Sequence, residues 1–165
     1  SAGGYLALMV GLSDDKTGPG GDPQASVSAK VAAVIDLYGV VNFSKHGKGD
    51  VPGVAAAQQA AYLPENQCDP KDPPVLILHG TADTTVDIQQ SKDLAMALAK
   101  AKVDHELIIV TGAPHTFDLH PKGTGWTRTS LHGSANGNET RNETKSDHAD
   151  LVEATLDFLT RTIGK

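Results

Sequence analysis

Three residues in this chain have the types that nucleophilic catalysis needs, and they stand in the order serine, aspartate, histidine: Ser1, Asp83 and His115. A serine hydroxyl is a poor nucleophile until a neighbouring imidazole takes its proton. The imidazole in turn needs a carboxylate to fix its tautomer and to stabilise its charged form. Ser1 opens the run S-A-G-G-Y-L-A-L-M-V-G-L, which reads as a helix over residues 1–12. Backbone N–H groups at a helix start point outward and favour developing negative charge. Asp83 lies five residues beyond Leu78, and His115 lies five beyond Val110. Each follows a short apolar run. Where such runs are parallel strands, their carboxyl ends share one edge of a sheet, and ligands bind at that edge.

The elements that must position these residues can be read from periodicity. Val31 to Tyr38 (V-A-A-V-I-D-L-Y) is nearly continuous in apolar residues and predicts a strand buried on both faces. Val75 to Leu78, after Pro73 and Pro74, predicts a second, and Glu106 to Val110 a third. Between these last two, Asp87 can cap a helix over 88–102, whose Ile88, Leu94, Ala95, Leu98 and Ala101 share one face. The β-α-β order implies parallel strands. The first helix is short and almost wholly apolar, which predicts burial. Residues 13–28 are a Gly- and Pro-rich loop. Residues 42–72 are irregular, with a short helix expected over 54–62; they read either as a connecting excursion or as part of a substrate pocket. Residues 119–145 are polar and read as one long loop. The final segment, 146–163, predicts an amphipathic helix carrying Leu151, Val152, Leu156, Phe158, Leu159 and Ile163.

Composition bounds the function. The 165 residues suffice for one domain with a core. Hydrophobic residues make up 39% and aromatics 4%, so the core must rest on Val, Ile, Leu and Ala. The net charge of −6 argues against nucleic acid as a partner, since binding would call for a basic stripe. No apolar run approaches the roughly 20 residues of a membrane span. Cys68 is the single cysteine, so no internal disulfide forms. N-x-[ST] sequons stand at Asn42, Asn138 and Asn142.

Motifs around the three residues carry a resemblance. Ser1-Ala2-Gly3-Gly4 resembles the second half of a G-x-S-x-G nucleophile elbow that opens a helix. L-I-L-H-G-T-A-D-T-T-V (76–86) resembles the acid-bearing loop of the α/β hydrolases, and V-T-G-A-P-H-T-F (110–117) their histidine loop. Within that superfamily the likeness is to serine esterases of the acetylxylan- and feruloyl-esterase kind, related to the hormone-sensitive-lipase-like esterases. It covers residues 1–118 and the last helix, with 119–145 as an insertion.

The resemblance implies a single partial domain over 1–165, the carboxy-terminal part of a three-layer α/β-hydrolase fold. Its sheet would be mostly parallel, with about three strands. Ser1 would be the nucleophile, His115 the general base and acid, Asp83 its orienter, and the Ala2 N–H an oxyanion donor. The family's second donor and the glycine before the nucleophile belong to an amino-terminal half that this sequence does not include. The implied substrate is a carboxylic ester, such as a short acyl ester of a carbohydrate, with no cofactor and no metal. A bacterial secreted or periplasmic setting goes with such esterases. The implied partner is the amino-terminal half, or a second copy paired along the 31–38 edge.

Plainer readings stand beside these. A leading serine can be an accident of where a chain begins, or can use its own α-amine as base, although the β-α-β order does not fit that class of hydrolase. Asp83 sits in good turn chemistry, T-A-D-T. Asp36 is a second candidate acid, placed inside an apolar run. His79, beside Gly80, reads as a brace for the loop. His115 could be a surface histidine, as could His46, His105, His120, His132 and His148. His115, Asp118 and His120 match no standard metal spacing. Cys68 reads as an inert thiol, and Trp126 as either a loop anchor or a contact for a partner.

Overall fold

The structure, a computed structural model, describes all residues except 46, 48, 120–125, 134–138, 146–147 and 165. The elements in chain order are α1 (Ala2–Leu12), β1 (Val34–Leu37), two short 3-10 segments (Ala56–Tyr62 and Pro64–Asn66), β2 (Val75–Gly80), α2 (Gln89–Ala101), β3 (His105–Thr111), a 3-10 turn (Phe117–Leu119), β4 (Thr127–Gly133), β5 (Glu139–Lys145) and α3 (His148–Ile163). The described strands form one sheet in the order β1-β2-β3-β4-β5. β1, β2 and β3 run parallel, with Leu37 opposite Leu78 and Gly80 opposite Val110. β4 and β5 add on antiparallel, with Thr111 opposite Thr127 and Thr127 opposite Lys145.

Every residue of β2 is buried. Because side chains alternate across a strand, Val75 and Ile77 enter one core cluster and Leu76 and Leu78 the other. The first cluster joins them to Leu8 and Leu12 of α1 and Leu94 and Leu98 of α2. The second joins them to Ile108, Val110 and Phe117, and to Leu151, Ala154 and Phe158 of α3. Helices thus cover both faces, giving the three layers of the α/β class. Trp126 packs edge-on against Phe117 at 6.2 Å and against this second cluster, so it is a loop anchor.

Four expectations are corrected. First, residues 119–145 are not one loop, because β4 and β5 occupy much of them and bring the described strands to five. Their sequences T-R-T-S-L-H-G and E-T-R-N-E-T-K are polar because the hairpin adds at the sheet edge. Threonine favours strands, and only Ser130 and Gly133 of β4 are buried. Second, β1 has four residues, not eight. Extending it backwards would place residues 32 and 33 opposite Pro73 and Pro74, which lack the N–H a ladder needs. Pairing therefore starts where the Val34 N–H donates to the Pro74 carbonyl, at 3.0 Å. Third, α1 is buried on one face only. Leu8 and Leu12 are buried on the sheet, while Leu6 is 61% and Val10 56% exposed. Fourth, α2 ends at Ala101 because Lys102 turns left-handed at φ 62°. The helix begins at Gln89 with Ile88 in the N-cap position, and Asp87, one residue earlier, accepts the Gln89 N–H at 2.8 Å.

Asn42 is buried and its amide donates to Glu65 at 2.6 Å, which removes it as a glycan acceptor in the folded state. Asn142 lies exposed on β5, and Asn138 falls outside the described residues. Among the described residues, no helix is long and apolar enough to cross a membrane. Leu98 is fully buried in the cluster that docks α2 on the sheet. Leu98→Ala is expected to lower stability by about 2–5 kcal/mol, read as a shift of the urea unfolding midpoint.

Candidate active site

The parallel register brings the ends of β2 and β3 to one edge, and the loops beyond them interlock. The Thr81 N–H donates to the Val110 carbonyl and the Ala82 N–H to the Ala113 carbonyl, each at 3.0 Å. The Gly112 N–H donates to the Thr81 hydroxyl at 2.8 Å. The approach is close enough that a Cβ on Gly80 would lie 2.2 Å from the Ala113 carbonyl oxygen, so only glycine fits.

These loops carry Asp83 and His115 into contact, with His115 Nδ1 2.6 Å from Asp83 Oδ2. The second oxygen, Oδ1, accepts the backbone N–H groups of Thr85 at 2.8 Å and Val86 at 2.9 Å. The carboxylate therefore makes the turn with one oxygen and meets the histidine with the other. Burial alone would raise this carboxyl, but the hydrogen bonds from His115, Val86 and Thr85 outweigh it and hold Asp83 below the ordinary carboxylate range. An ionised Asp83 only accepts, so His115 carries its proton on Nδ1 and leaves Nε2 free as a base.

His79 braces the same loop from beneath. Its Nε2 lies 2.9 Å from the Val86 carbonyl and 3.2 Å from Asp83 Oδ2, and its Nδ1 lies 2.6 Å from the Ser91 hydroxyl. Because the carbonyl can only accept, Nε2 carries the hydrogen and Nδ1 accepts from Ser91. Burial lowers the pKa of His79, which keeps it neutral.

Ser1 sits at the end of β1, on the same edge of the sheet. Its α-amine donates to the Leu37 carbonyl at 3.3 Å, and its carbonyl accepts the Tyr5 N–H at 3.0 Å as α1 begins. The hydroxyl makes no cap bond to the helix. The Ala2 N–H is among the donors of a helix start that have no intrahelical acceptor. The structure thus joins Asp83 to His115 directly. Among the described residues, it gives no hydrogen bond from the Ser1 hydroxyl to His115. Catalytic hydrogen bonds often tighten only around substrate.

Asp36, the second candidate acid, points elsewhere. It is fully buried under the start of α1, where Oδ1 accepts the Gly39 N–H at 3.0 Å and Oδ2 has no partner among the described residues. A Cβ on Gly4 would lie 2.2 Å from Oδ1, and one on Gly39 2.3 Å from it, so two glycines make room for this carboxyl. Burial pushes it up to about 7. One residue of the site escaped the sequence reading: the Tyr38 ring lies 4.4 Å from the His115 imidazole. The sign available was a tyrosine directly before glycine at a strand end. No metal-binding cluster occurs among the described residues, and His120 lies outside them. Cys68 is inert, its thiol pushed up by burial to about 12.

A raised carboxyl binds its proton more tightly in the folded chain than in the unfolded one. Its contribution is therefore present at low pH and is lost as pH rises from about 4 through about 7. Asp36→Asn mimics the protonated form and removes that slope. The stability difference between wild type and variant, from urea unfolding at pH 4 and pH 8, is expected to change by up to about 4 kcal/mol in the variant's favour.

With this geometry in view, the relatives are informative. Residues 1–98 match the BD-FAE family. The inactive dipeptidyl peptidase 10 of Rattus norvegicus is 35% identical over 105 residues, which is 64% of this chain and 12% of that protein. The acetyl ester-xyloside bifunctional hydrolase from Caldicellulosiruptor lactoaceticus superposes with a TM-score of 0.58 at 30% identity, covering 70% of this chain and 45% of its own. A propionate-bound thermophilic esterase from Thermogutta terrifontis shares the fold with a TM-score of 0.65 at 23% identity, covering 98% of this chain and 53% of its own. The chain spans about half the length of these solved structures and a far smaller share of the curated relative. On the match over residues 1–98 and the helix-sheet-helix layers, the chain belongs to the BD-FAE family of α/β-hydrolase esterases.

Proposed function

We propose that this chain carries the reactive centre of a carboxylic ester hydrolase, with Ser1 as nucleophile, His115 as general base and acid, and Asp83 as its orienter. The observation that carries the reading is the 2.6 Å contact from His115 Nδ1 to a buried, ionised Asp83 at the carboxyl edge of parallel strands. In the proposed reaction the Ser1 oxygen attacks the acyl carbon while His115 Nε2 takes its proton. The carbonyl oxygen becomes an oxyanion facing the Ala2 N–H at the start of α1. Collapse expels the alcohol, which receives the proton from His115 and leaves an acyl-serine. Water then attacks the acyl-serine through the same histidine, releasing the acid and restoring Ser1. The chemistry calls for no cofactor. Short acyl esters of carbohydrates are the preferred substrates, by analogy with the acetyl ester-xyloside hydrolase and with a carbohydrate esterase from gut microbiota, which matches at 25% identity.

The partner expected for this centre docks at the free edge of β1. That strand has no second neighbour among the described strands, and apolar grooves flank it on both faces. One, of about 470 Å³, is lined by Ile35, Leu37, Leu78, Phe117, Leu151 and Leu156. The other, of about 300 Å³, is lined by Leu6, Val10, Val31, Ala33 and Ile35. An unpaired strand between apolar faces favours pairing with another chain segment. The amino-terminal half of the same fold is the proposed occupant, and it would bring the second oxyanion donor. A chain that is monodisperse and monomeric in sedimentation, and stays so when mixed with that half, would count against this.

The second reading is a non-catalytic module. It is favoured by the rat relative, whose name calls it inactive, and by the lack, among the described residues, of a hydrogen bond from the Ser1 hydroxyl to His115. A fluorophosphonate separates the two. The first reading expects one stoichiometric adduct on Ser1 by peptide mapping, none in Ser1→Ala or His115→Ala, and labelling slowed about 10⁴-fold in Asp83→Asn. No adduct, alone or with the amino-terminal half added, would favour the non-catalytic module.

A further inference from the structure

Tyr38 directly follows β1, with its backbone in the left-handed region at φ 45°. For a bulky residue that conformation is a genuine outlier, because the Cβ crowds the following carbonyl. A glycine would adopt it without cost, so the tyrosine side chain contributes something other than the turn. Strain of this kind persists where the surroundings over-determine it, and it collects at functional sites.

The surroundings here are the histidine loop. The Tyr38 N–H donates to the Leu78 carbonyl at 2.9 Å, anchoring the backbone to β2. Its ring lies 4.4 Å from the His115 imidazole, tilted by 57°, and packs edge-on against Phe117 at 5.7 Å. Its hydroxyl donates to Asp118 Oδ1 at 2.5 Å. Burial, and then the bond to Asp118, raise the phenol well above its ordinary value, so the hydroxyl remains a donor. The residue after His115 is strained as well. Thr116 has φ 60°, and its hydroxyl donates to the His115 carbonyl at 2.6 Å. Two of the three non-glycine residues with positive φ among the described residues therefore lie against the imidazole or next to it in sequence. The His115 side chain keeps 18% of its surface open, which leaves room to swing off Asp83 unless something holds it.

We propose that Tyr38 is a positioning residue for His115. Its ring walls the imidazole, and its hydroxyl ties the Phe117–Leu119 turn to the end of β1, so that Nδ1 stays on Asp83. The proposal rests on the reading of His115 as general base, and it gives Tyr38 no contact with reacting atoms.

The test follows the hydrogen-bonded Nδ1 proton of His115 by proton NMR, beside the rate of fluorophosphonate labelling, in the 165-residue chain with the amino-terminal half added where labelling requires it. Tyr38→Phe keeps the wall and loses the tie. Its downfield proton should persist with faster exchange into water, and labelling should slow about fivefold, the worth of one net hydrogen bond. Tyr38→Leu loses both. Its downfield proton should vanish, and labelling should slow by at least about tenfold more. A Tyr38→Phe chain that matches wild type in both readouts overturns the proposal, as does a folded Tyr38→Leu chain with an unchanged downfield proton. Should Tyr38→Leu fail to fold, Tyr38→Phe decides alone. A wild type that shows the downfield proton but takes no label speaks against the hydrolase reading instead, and the effect of Tyr38 is then judged on the proton.

Discussion

The parallel register that sets Gly80 beside Val110 governs the whole upper edge of the sheet. It lets Thr81 and Ala82 reach the carbonyls of Val110 and Ala113, which locks the two loops together before any side-chain contact is considered. Asp83 and His115 then sit on backbones that cannot slide relative to one another. A one-residue slip of β3 would break these bonds and turn each of its side chains to the opposite face. The burial of all six β2 residues makes such a slip costly. Precision at the site is thus inherited from the core, through short loops rather than through flexible side chains.

Two buried aspartates at the same edge show how environment sets role. Asp83 has donors for both oxygens: Thr85 and Val86 on one, His115 on the other. Asp36 has a single donor, Gly39, and an oxygen with no partner among the described residues. Desolvation acts on both, and the number of donors decides which sign survives. Asp83 stays ionised and can stabilise an imidazolium, while Asp36 is poised near neutrality. That difference, more than distance along the sequence, makes Asp83 the better partner for a histidine.

Much of this was legible in the sequence, and the failures have physical causes. The parallel strands announce themselves as apolar runs because they are buried on both faces, and α2 by its one-sided periodicity. The motifs around Asp83 and His115 are local, and local backbone geometry brings them together. The β4–β5 hairpin was illegible because edge strands need little apolar surface, and E-T-R-N-E-T-K reads like a loop. The start of β1 is not legible because it is set by prolines in β2's approach, a cross-strand effect that periodicity cannot register. Tyr38 was missed because its role depends on a φ angle and on contacts with residues 77 to 80 positions away. Ser1 is legible from its motif, but a hydrogen bond to His115 is a tertiary matter, and none is made among the described residues.

The two edges of the sheet differ in kind. β5 presents exposed Thr140, Arg141, Asn142 and Glu143, and a charged, polar edge discourages further pairing. β1 has no second neighbour among the described strands and lies between apolar grooves, with Leu6 and Val10 of α1 exposed alongside. Burying one such leucine or valine is worth about 1.5–3 kcal/mol, so the β1 edge suits further pairing better than the β5 edge does. Ser1 hangs from the Leu37 carbonyl at the end of that same strand. A segment that covered β1 would therefore also lie beside Ser1. Under the hydrolase reading, association and catalysis would then be one problem, because the groove-lined strand borders the proposed nucleophile.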